Sequence, residues 1–236
     1  MTRQRALRAG VIAAGAGERL AAAGSLKPLV RVGGRPLIDR VLGSIADAGA
    51  AAVVVIINER SLPVRDHVSS DSWPFDIRWI VQTTPSSMHS FLLVLEALVE
   101  GADDRVLIST VDTVAPEGAF AEFVSAARAG DADVTLALTT LVDDDHPLRV
   151  RLDGDRRVSA IGDDADGSAF VTAGYYFVHA RVLNEADLAR RQGVSALRAF
   201  LGRLIDRGYR IDGVVMPDSI DVDRPSDVVV AERLLQ

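Results

Sequence analysis

The sequence has no cysteine. This excludes a disulfide framework, a thiolate metal site and a cysteine nucleophile, and makes an unmodified cytoplasmic setting the simplest expectation. Histidine is scarce as well: His67, His89, His146 and His179 are scattered without ligand spacing, so each is expected at the surface or in packing. No stretch approaches the roughly 18 uninterrupted apolar residues of a membrane span, and MTRQRALRAG carries arginine without the apolar run of a signal peptide. A soluble, uncleaved chain with no membrane partner is expected. A surplus of positive charge is missing too. Lys plus Arg number 26 against 33 for Asp plus Glu, a formal charge of −7, which leaves no broad field for a phosphate backbone and makes nucleic acid an unexpected partner. Internal repeats, low-complexity tracts and long linkers are also absent.

What is present is an ordinary globular composition: 236 residues, 48% hydrophobic and 25% charged, enough for one domain with one substantial core over 1–236. LRAGVIA at 7–13 reads as a buried strand and PLIDRVLGSIADA at 36–48 as a helix opened by Pro36. AVVVII (52–57), IRWIVQ (77–82) and RVLIST (105–110) continue the strands, with helices near 62–70, 88–100 and 117–129 between and after them. Near-continuous apolar strands alternating with amphipathic helices predict an α/β fold: one Rossmann-like, mostly parallel sheet covered by helices on both faces. From 132 to 178 the rhythm changes. VTLALTT, LRVRL, RVSAI and FVTAGYYFV lie close together around a DGD turn, which reads as a β-rich insertion or lid. Helices, a last strand YRIDGVVM and a closing helix PSDVVVAERLL complete the chain.

In an open parallel sheet, ligands sit beyond the carboxyl ends of the strands, and the loop after the first strand is the usual phosphate site. Here that loop is AAGAGERLAAAGSLKPL. Its glycines let backbone N–H groups turn toward an anion, and Arg19 and Lys27 add positive charge. A nucleotide-binding P-loop is excluded, because Gly17 is followed by Glu18 and Arg19 rather than by Lys and Ser or Thr. A dinucleotide fingerprint fits poorly: Leu20 stands where a small residue is needed, and the second strand ends in IINER, with only Asn58 and Glu59 to meet a ribose. Lys27 precedes Pro28, which disfavours helical geometry and predicts an extended segment from which the amine reaches back across the loop.

AAGAGERL followed by KPLVRVGGRPLIDRVL resembles the signature of the nucleotidyltransferases. That superfamily includes sugar-nucleotide pyrophosphorylases, the molybdenum cofactor guanylyltransferase-like group and the cytidylyltransferases of isoprenoid and sugar-acid synthesis. The likeness recurs near residues 112 and 223, spans most of the chain, and implies a nucleotide-diphospho-sugar transferase type of fold with 132–178 on the acceptor side. By the same resemblance, Ala13, Ala14, Gly15, Ala16 and Gly17 hold the nucleotide phosphates, Arg19 and Lys27 act in catalysis, and Gln82, Ser87 and Ser90 read base and ribose. Asp112, in VDTVAPEGAF, matches the aspartate that holds Mg²⁺, with Val111 where Gly is usual. Asp223, in DRPSD, matches the second acidic position, with Arg224 where Thr is common. Asp221 is two residues away and in an extended segment faces the same side, which makes it the substitute ligand. Each of Asp112 and Asp223 also has a plain reading as a helix cap, and TPSS at 84–87 as a turn and cap. Hard oxygen ligands completed by phosphate and water suit Mg²⁺. VTAGYYFV resembles the family strand beside the acceptor, which brings in Gly174 and Tyr175.

The implied activity is Mg²⁺-dependent transfer of an NMP from an NTP to a phosphorylated sugar, polyol or small alcohol, with release of pyrophosphate. A phosphate acceptor is already a nucleophile, which accords with the lack of a catalytic histidine. Val111 and Arg224 motivate the alternative, a nucleotide-binding regulatory module of the same fold without turnover. A homo-oligomer is compatible with the sequence. The base, the acceptor and the number of subunits are not readable from it.

Overall fold

Two faces of one sheet, each needing apolar cover, organise the described residues: 6–15, 17, 20, 26–142, 147–154 and 156–236 of a computed structural model. In chain order the elements are β1 (Leu7–Ala13), the hairpin β2 (Arg31–Val32) and β3 (Arg35–Pro36), α1 (Leu37–Asp47), β4 (Ala50–Ile57), α2 (Leu62–Ser69), β5 (Asp76–Val81), α3 (Ser87–Leu98), β6 (Arg105–Thr110), β7 (Thr113–Val114) and α4 (Ala119–Ala129). There follow β8 (Val134–Thr139), β9 (Arg149–Asp153), β10 (Arg157–Ile161), β11 (Phe170–His179), α5 (Ala186–Arg191), α6 (Leu197–Asp206), β12 (Ile211–Val215), β13 (Ile220–Asp221) and α7 (Pro225–Leu234). None of the described helices is long and apolar enough to cross a membrane.

The main sheet has the order β5-β4-β1-β6-β11-β8-β12-β10-β9. Alternation along β4 sends Val53, Val55 and Ile57 to one core, with α1 and α4, and Val54 and Ile56 to the other, with α3 and α6. Leu37, Ile38, Val41, Leu42 and Ile45 form the buried stripe of α1 at the helical spacing that its apolar pattern predicts. On the opposite face Met88, Phe91, Leu92 and Leu95 of α3 are fully buried.

The sheet departs from the mostly parallel expectation in its second half. β1, β4, β5 and β6 are parallel, as are β8 and β12, but β11 runs antiparallel to both β6 and β8, and β10 antiparallel to β12 and β9. β11 follows the β9–β10 hairpin without a helical crossover, and a direct return of this kind reverses strand direction. The predicted insertion is therefore divided. β8 and β11 are interior strands of the main sheet, while β9 also pairs with β11, closing a small ring of strands at that end. Sheet patterning alone does not distinguish an inserted strand from a central one.

At the amino edge of β6, Asp104 accepts hydrogen bonds from the backbone N–H of Glu100 and Gly101, both at 2.7 Å, and pairs with the Arg8 guanidinium. Burial opposes its charge, but these donors prevail and hold the carboxyl well below the usual range. A depressed folded-state pKa contributes stability that is complete above the ordinary value of about 4 and is lost as pH falls below it. Asp104→Asn is expected to cost about 3 kcal/mol at neutral pH, because it leaves the mostly buried Arg8 guanidinium to the exposed Glu100 carboxylate at 3.0 Å. This corresponds to a Tm lower by about 6–12 °C. Thermal melts of both proteins should converge as pH is lowered from 5 toward 2 (~3 units, spanning the ordinary aspartate range), and a constant gap would remove Asp104 from this role.

Candidate active site

The parallel strands β1, β4, β5 and β6 end on one edge, and the loops that leave them build the site from its floor upward. Ala13 closes β1 as a buried residue, followed by Ala14 and the exposed Gly15. Asn58, at the end of β4, donates from Nδ2 to the carbonyls of Ala14 (3.2 Å) and Gly15 (3.3 Å), while its Oδ1 accepts from the Arg60 N–H and the Ser61 hydroxyl. The residue considered above as a ribose ligand therefore braces the loop. Gly17 has φ +56°, and a Cβ there would stand 2.8 Å from Cβ of Lys27. A left-handed backbone conformation and this close approach both require glycine. Ala16 and Arg19 lie outside the described residues.

Lys27 is not in an extended segment. It opens a one-turn 3-10 helix, Lys27–Leu29, with Pro28 buried beneath it. Proline restrains the residue before it from the α region, yet it suits the first turn of a helix, and here that preference prevails. The turn aims the Lys27 ammonium at two carboxylates: Nζ donates to Oδ2 of Asp112 and to Oδ1 of Asp223. Burial opposes the lysine charge, but the two carboxylates outweigh it and raise its pKa above the ordinary value. Burial likewise disfavours ionised Asp112, and the Lys27 ammonium overrides this and keeps the carboxyl low.

A short ribbon brings these distant acids together. β7 pairs antiparallel with β13, Thr113 opposite Asp221 and Val114 opposite Ile220, and the Val222 N–H donates to the Asp112 carbonyl at 3.0 Å. Neither Asp112 nor Asp223 is a helix cap. Gly118 occupies the cap position of α4. At α7 it is Asp227 that accepts from the Asp223 N–H (2.9 Å) and the Arg224 N–H (2.6 Å), which frees the Asp223 side chain to face Lys27. Asp221 instead accepts from the Thr113 hydroxyl at 2.6 Å. Desolvation of its carboxyl, and then the nearby Asp112 charge, raise its pKa.

The donor set fits Mg²⁺. Two carboxylates from different loops converge on one point, now held by an ammonium, and Asp112 Oδ1 is buried without a hydrogen-bond partner. Among the described residues, the group of three acid or imidazole ligands that comes within 4.8 Å is elsewhere: Asp39, His67 and Asp71. His67 is therefore not isolated as its sequence context suggested, since Nε2 lies 3.0 Å from both Asp39 oxygens.

Beyond Asp223, a cleft of about 260 Å³ extends along β11 and is lined by Ser87, Thr110, Tyr176, Arg198, Ser219 and Asp221, among others. Of the base-reading residues, Gln82 is exposed after β5 and Ser87 opens α3. Ser87 Oγ accepts from the Leu197 N–H (3.1 Å), and Ser90 is buried against the Thr84 hydroxyl (2.6 Å). Ser86 provides the cap, so the plain turn reading of TPSS is realised alongside any contact with a ligand. Gly174 has φ +65°, and a Cβ on it would fall 2.0 Å from the Thr113 hydroxyl and 2.5 Å from that of Thr110. Its surroundings are thus the threonine pair rather than open cleft. Tyr175 is buried on the other face against Phe120 and Phe123 at 5.0 and 6.1 Å, and its neighbour Tyr176 lines the cleft. A strand alternates its side chains, so a displacement of one residue exchanges the faces. Gly174→Ala is expected to cost about 3 kcal/mol or more from steric overlap and backbone strain, read as a Tm lower by roughly 6–12 °C; a shift under about 2 °C would contradict this packing.

Arg198 and Ser219 escaped sequence reasoning. Arg198 reaches the cleft because α6 docks on the start of α3, where the Met88 N–H donates to the Ser195 carbonyl at 3.2 Å, a long-range contact with no local signal. Ser219 had a weak signal in its closeness to Asp221 and Asp223.

The chain is 30% identical over 211 residues, 86% of its length and 32% of the relative's, to the CMP-5'-(3-aminopropyl)phosphonate synthase of Streptomyces rubellomurinus. It is 26% identical to the bifunctional protein GlmU of Desulfotalea psychrophila, over 90% of this chain and 64% of that protein. The chain therefore spans between about a third and two thirds of the length of these relatives. Its fold matches the structure of the inositol-1-phosphate CTP transferase from T. maritima with a TM-score of 0.79 and 19% identity, over 98% of this chain and 97% of the other. The family model of the MobA-like NTP transferase domain matches residues 9–203, and the chain belongs to that family.

Proposed function

We propose that the chain transfers an NMP from an NTP to a small acceptor bearing a phosphate or phosphonate, with Mg²⁺ held by Asp112 and Asp223. The observation that carries this reading is the convergence of Lys27, Asp112 and Asp223 beside Gly17 at the carboxyl edge of β1 and β6. Bound Mg²⁺ supplies charge neutralisation on the phosphate oxygens. The chain itself supplies position and field. The loop from Ala13 to Gly17, braced by Asn58 at Ala14 and Gly15, serves the polyphosphate through its backbone amides, and Arg19 contributes positive charge. Lys27 stabilises charge that develops at the α-phosphate. Gln82, exposed after β5, borders the nucleoside side, and Asp221 is held by Thr113 beside the cation site.

An anionic acceptor oxygen attacks the α-phosphorus, the bond from that phosphorus to the bridging oxygen breaks, and pyrophosphate leaves with the electron pair. No proton has to move, so no general base is required. The acceptors of the relatives, an aminopropylphosphonate and an inositol phosphate, make CTP with phosphonate and phosphate acceptors the first combination to assay. Pyrophosphate release over four NTPs and an acceptor panel is expected only with Mg²⁺ present. Nucleotide binding without any release would favour the regulatory alternative and overturn the transfer reading.

A further inference from the structure

Asn58 is the first residue beyond the β1–β4 ladder, whose last rung pairs Ala13 with Ile57. Past that rung the chain turns into the 3-10 segment Glu59–Ser61, and the backbone of β4 no longer runs beside Ala14 and Gly15. The Asn58 side chain, 8% exposed, takes its place. A primary amide has two N–H donors and two acceptor lone pairs, and all four are engaged. Nδ2 donates to the carbonyls of Ala14 and Gly15, and Oδ1 accepts from the Arg60 N–H and the Ser61 hydroxyl, both at 3.0 Å. The pattern admits one orientation of the amide, because a flip would set Oδ1 against two carbonyls. It also leaves no capacity for a ribose hydroxyl. Along a straight strand successive carbonyls point to opposite sides, whereas Ala14 and Gly15 present two in succession to one amide. A planar trans peptide sends its N–H opposite its carbonyl, so the N–H groups of these two peptide planes turn together away from Asn58. Adjacent N–H groups aligned in this way form a concave seat for an anion.

We infer that Asn58 is a positioning residue for the NTP polyphosphate: it touches no substrate atom and sets the direction of the loop amides that do. The inference rests on the transfer reading and assigns the side chain that shapes its phosphate seat. Loss of Asn58 acts on the affinity for a polyphosphate, with or without a base attached, and spares the affinity for the nucleoside. The seat serves bound substrate and transition state alike, so the loss falls on KM rather than on kcat. The isosteric Asn58→Asp acts more strongly than Asn58→Ala. Its carboxylate would face two carbonyl oxygens and add negative charge beside the phosphates.

The test measures kcat and KM for the NTP that supports turnover, together with competitive inhibition by tripolyphosphate and by the nucleoside of that NTP. Asn58→Ala should raise the NTP KM and the tripolyphosphate Ki together by ~10-fold, with kcat within about threefold and the nucleoside Ki in place. Asn58→Asp should raise the first two constants by ~100-fold. Ser61→Ala removes one of the two donors that hold Oδ1, so it should raise the same constants by less. Combined with Asn58→Ala it should add nothing further, because it acts through Asn58. General loosening of the fold would weaken nucleoside and tripolyphosphate alike. Equal effects on the two, or an unchanged tripolyphosphate Ki, overturn the inference and leave nucleotidyl transfer standing. A loss confined to the nucleoside overturns it too, and returns Asn58 to the ribose. No turnover with any acceptor overturns the transfer reading instead. In that event calorimetric titration of tripolyphosphate and of nucleoside into the same variants decides Asn58: weaker binding of tripolyphosphate alone supports the assignment, and any other pattern refutes it.

Discussion

Asp112→Asn is expected to lower kcat/KM for pyrophosphate release by about a thousandfold or more, equivalent to roughly 4 kcal/mol of transition-state stabilisation. The substitution keeps the shape of the side chain and removes the charge that pairs with Lys27 and would hold Mg²⁺. The loss should lie in kcat, and higher Mg²⁺ should recover part of it, because a weakened site fills at a higher concentration. Asp223→Asn should act in the same direction with a smaller effect, since the Asp223 side chain is 43% exposed against 18% for Asp112 and water can take over more of its role. Full turnover of Asp112→Asn at ordinary Mg²⁺ would remove this residue from the reaction.

Lys27→Met is the second large effect and has two separable parts. Loss of the ammonium opposite the α-phosphate should reduce kcat by about 10²–10³. In the unliganded protein it also leaves Asp112 and Asp223 facing one another without the cation between them. Breaking a fully buried ion pair costs about 3–5 kcal/mol, and the exposure of Asp223 reduces this to about 2, a Tm lower by roughly 4–8 °C. The same geometry sets a sign for the metal. A divalent cation held by Asp112 and Asp223 would meet the Lys27 ammonium at the same carboxylates, so millimolar Mg²⁺ should raise the Tm of the variant more than that of the unchanged protein. Equal shifts in both would show that ammonium and cation do not share the site.

Much of this was legible along the chain. β1, β6 and β10 occupy the predicted residues, and α1 to α4 deviate by one or two positions at their ends, because burial on a flat sheet imposes a period that neighbouring residues display. The glycine loop and the likeness at Asp112 and Asp223 named residues that the structure brings to one edge of the sheet. The β2–β3 and β7–β13 pairings were not visible, since two-residue strands carry no periodicity. Nor was the 3-10 turn at Lys27, where two local preferences of proline conflict.

By itself, the sequence determined the alternation of buried strands and amphipathic helices, the chemistry of the amide-rich loop and the identity of the charged groups, all of which depend on residues within a few positions of one another. Only the tertiary structure decided which acid shares Lys27 with Asp112, which face Tyr175 and Tyr176 take, and that Arg198 and Ser219 line one cleft. These outcomes depend on pairings across 85 and 196 residues, where the closing energy comes from the packed sheet and leaves no mark on local pattern.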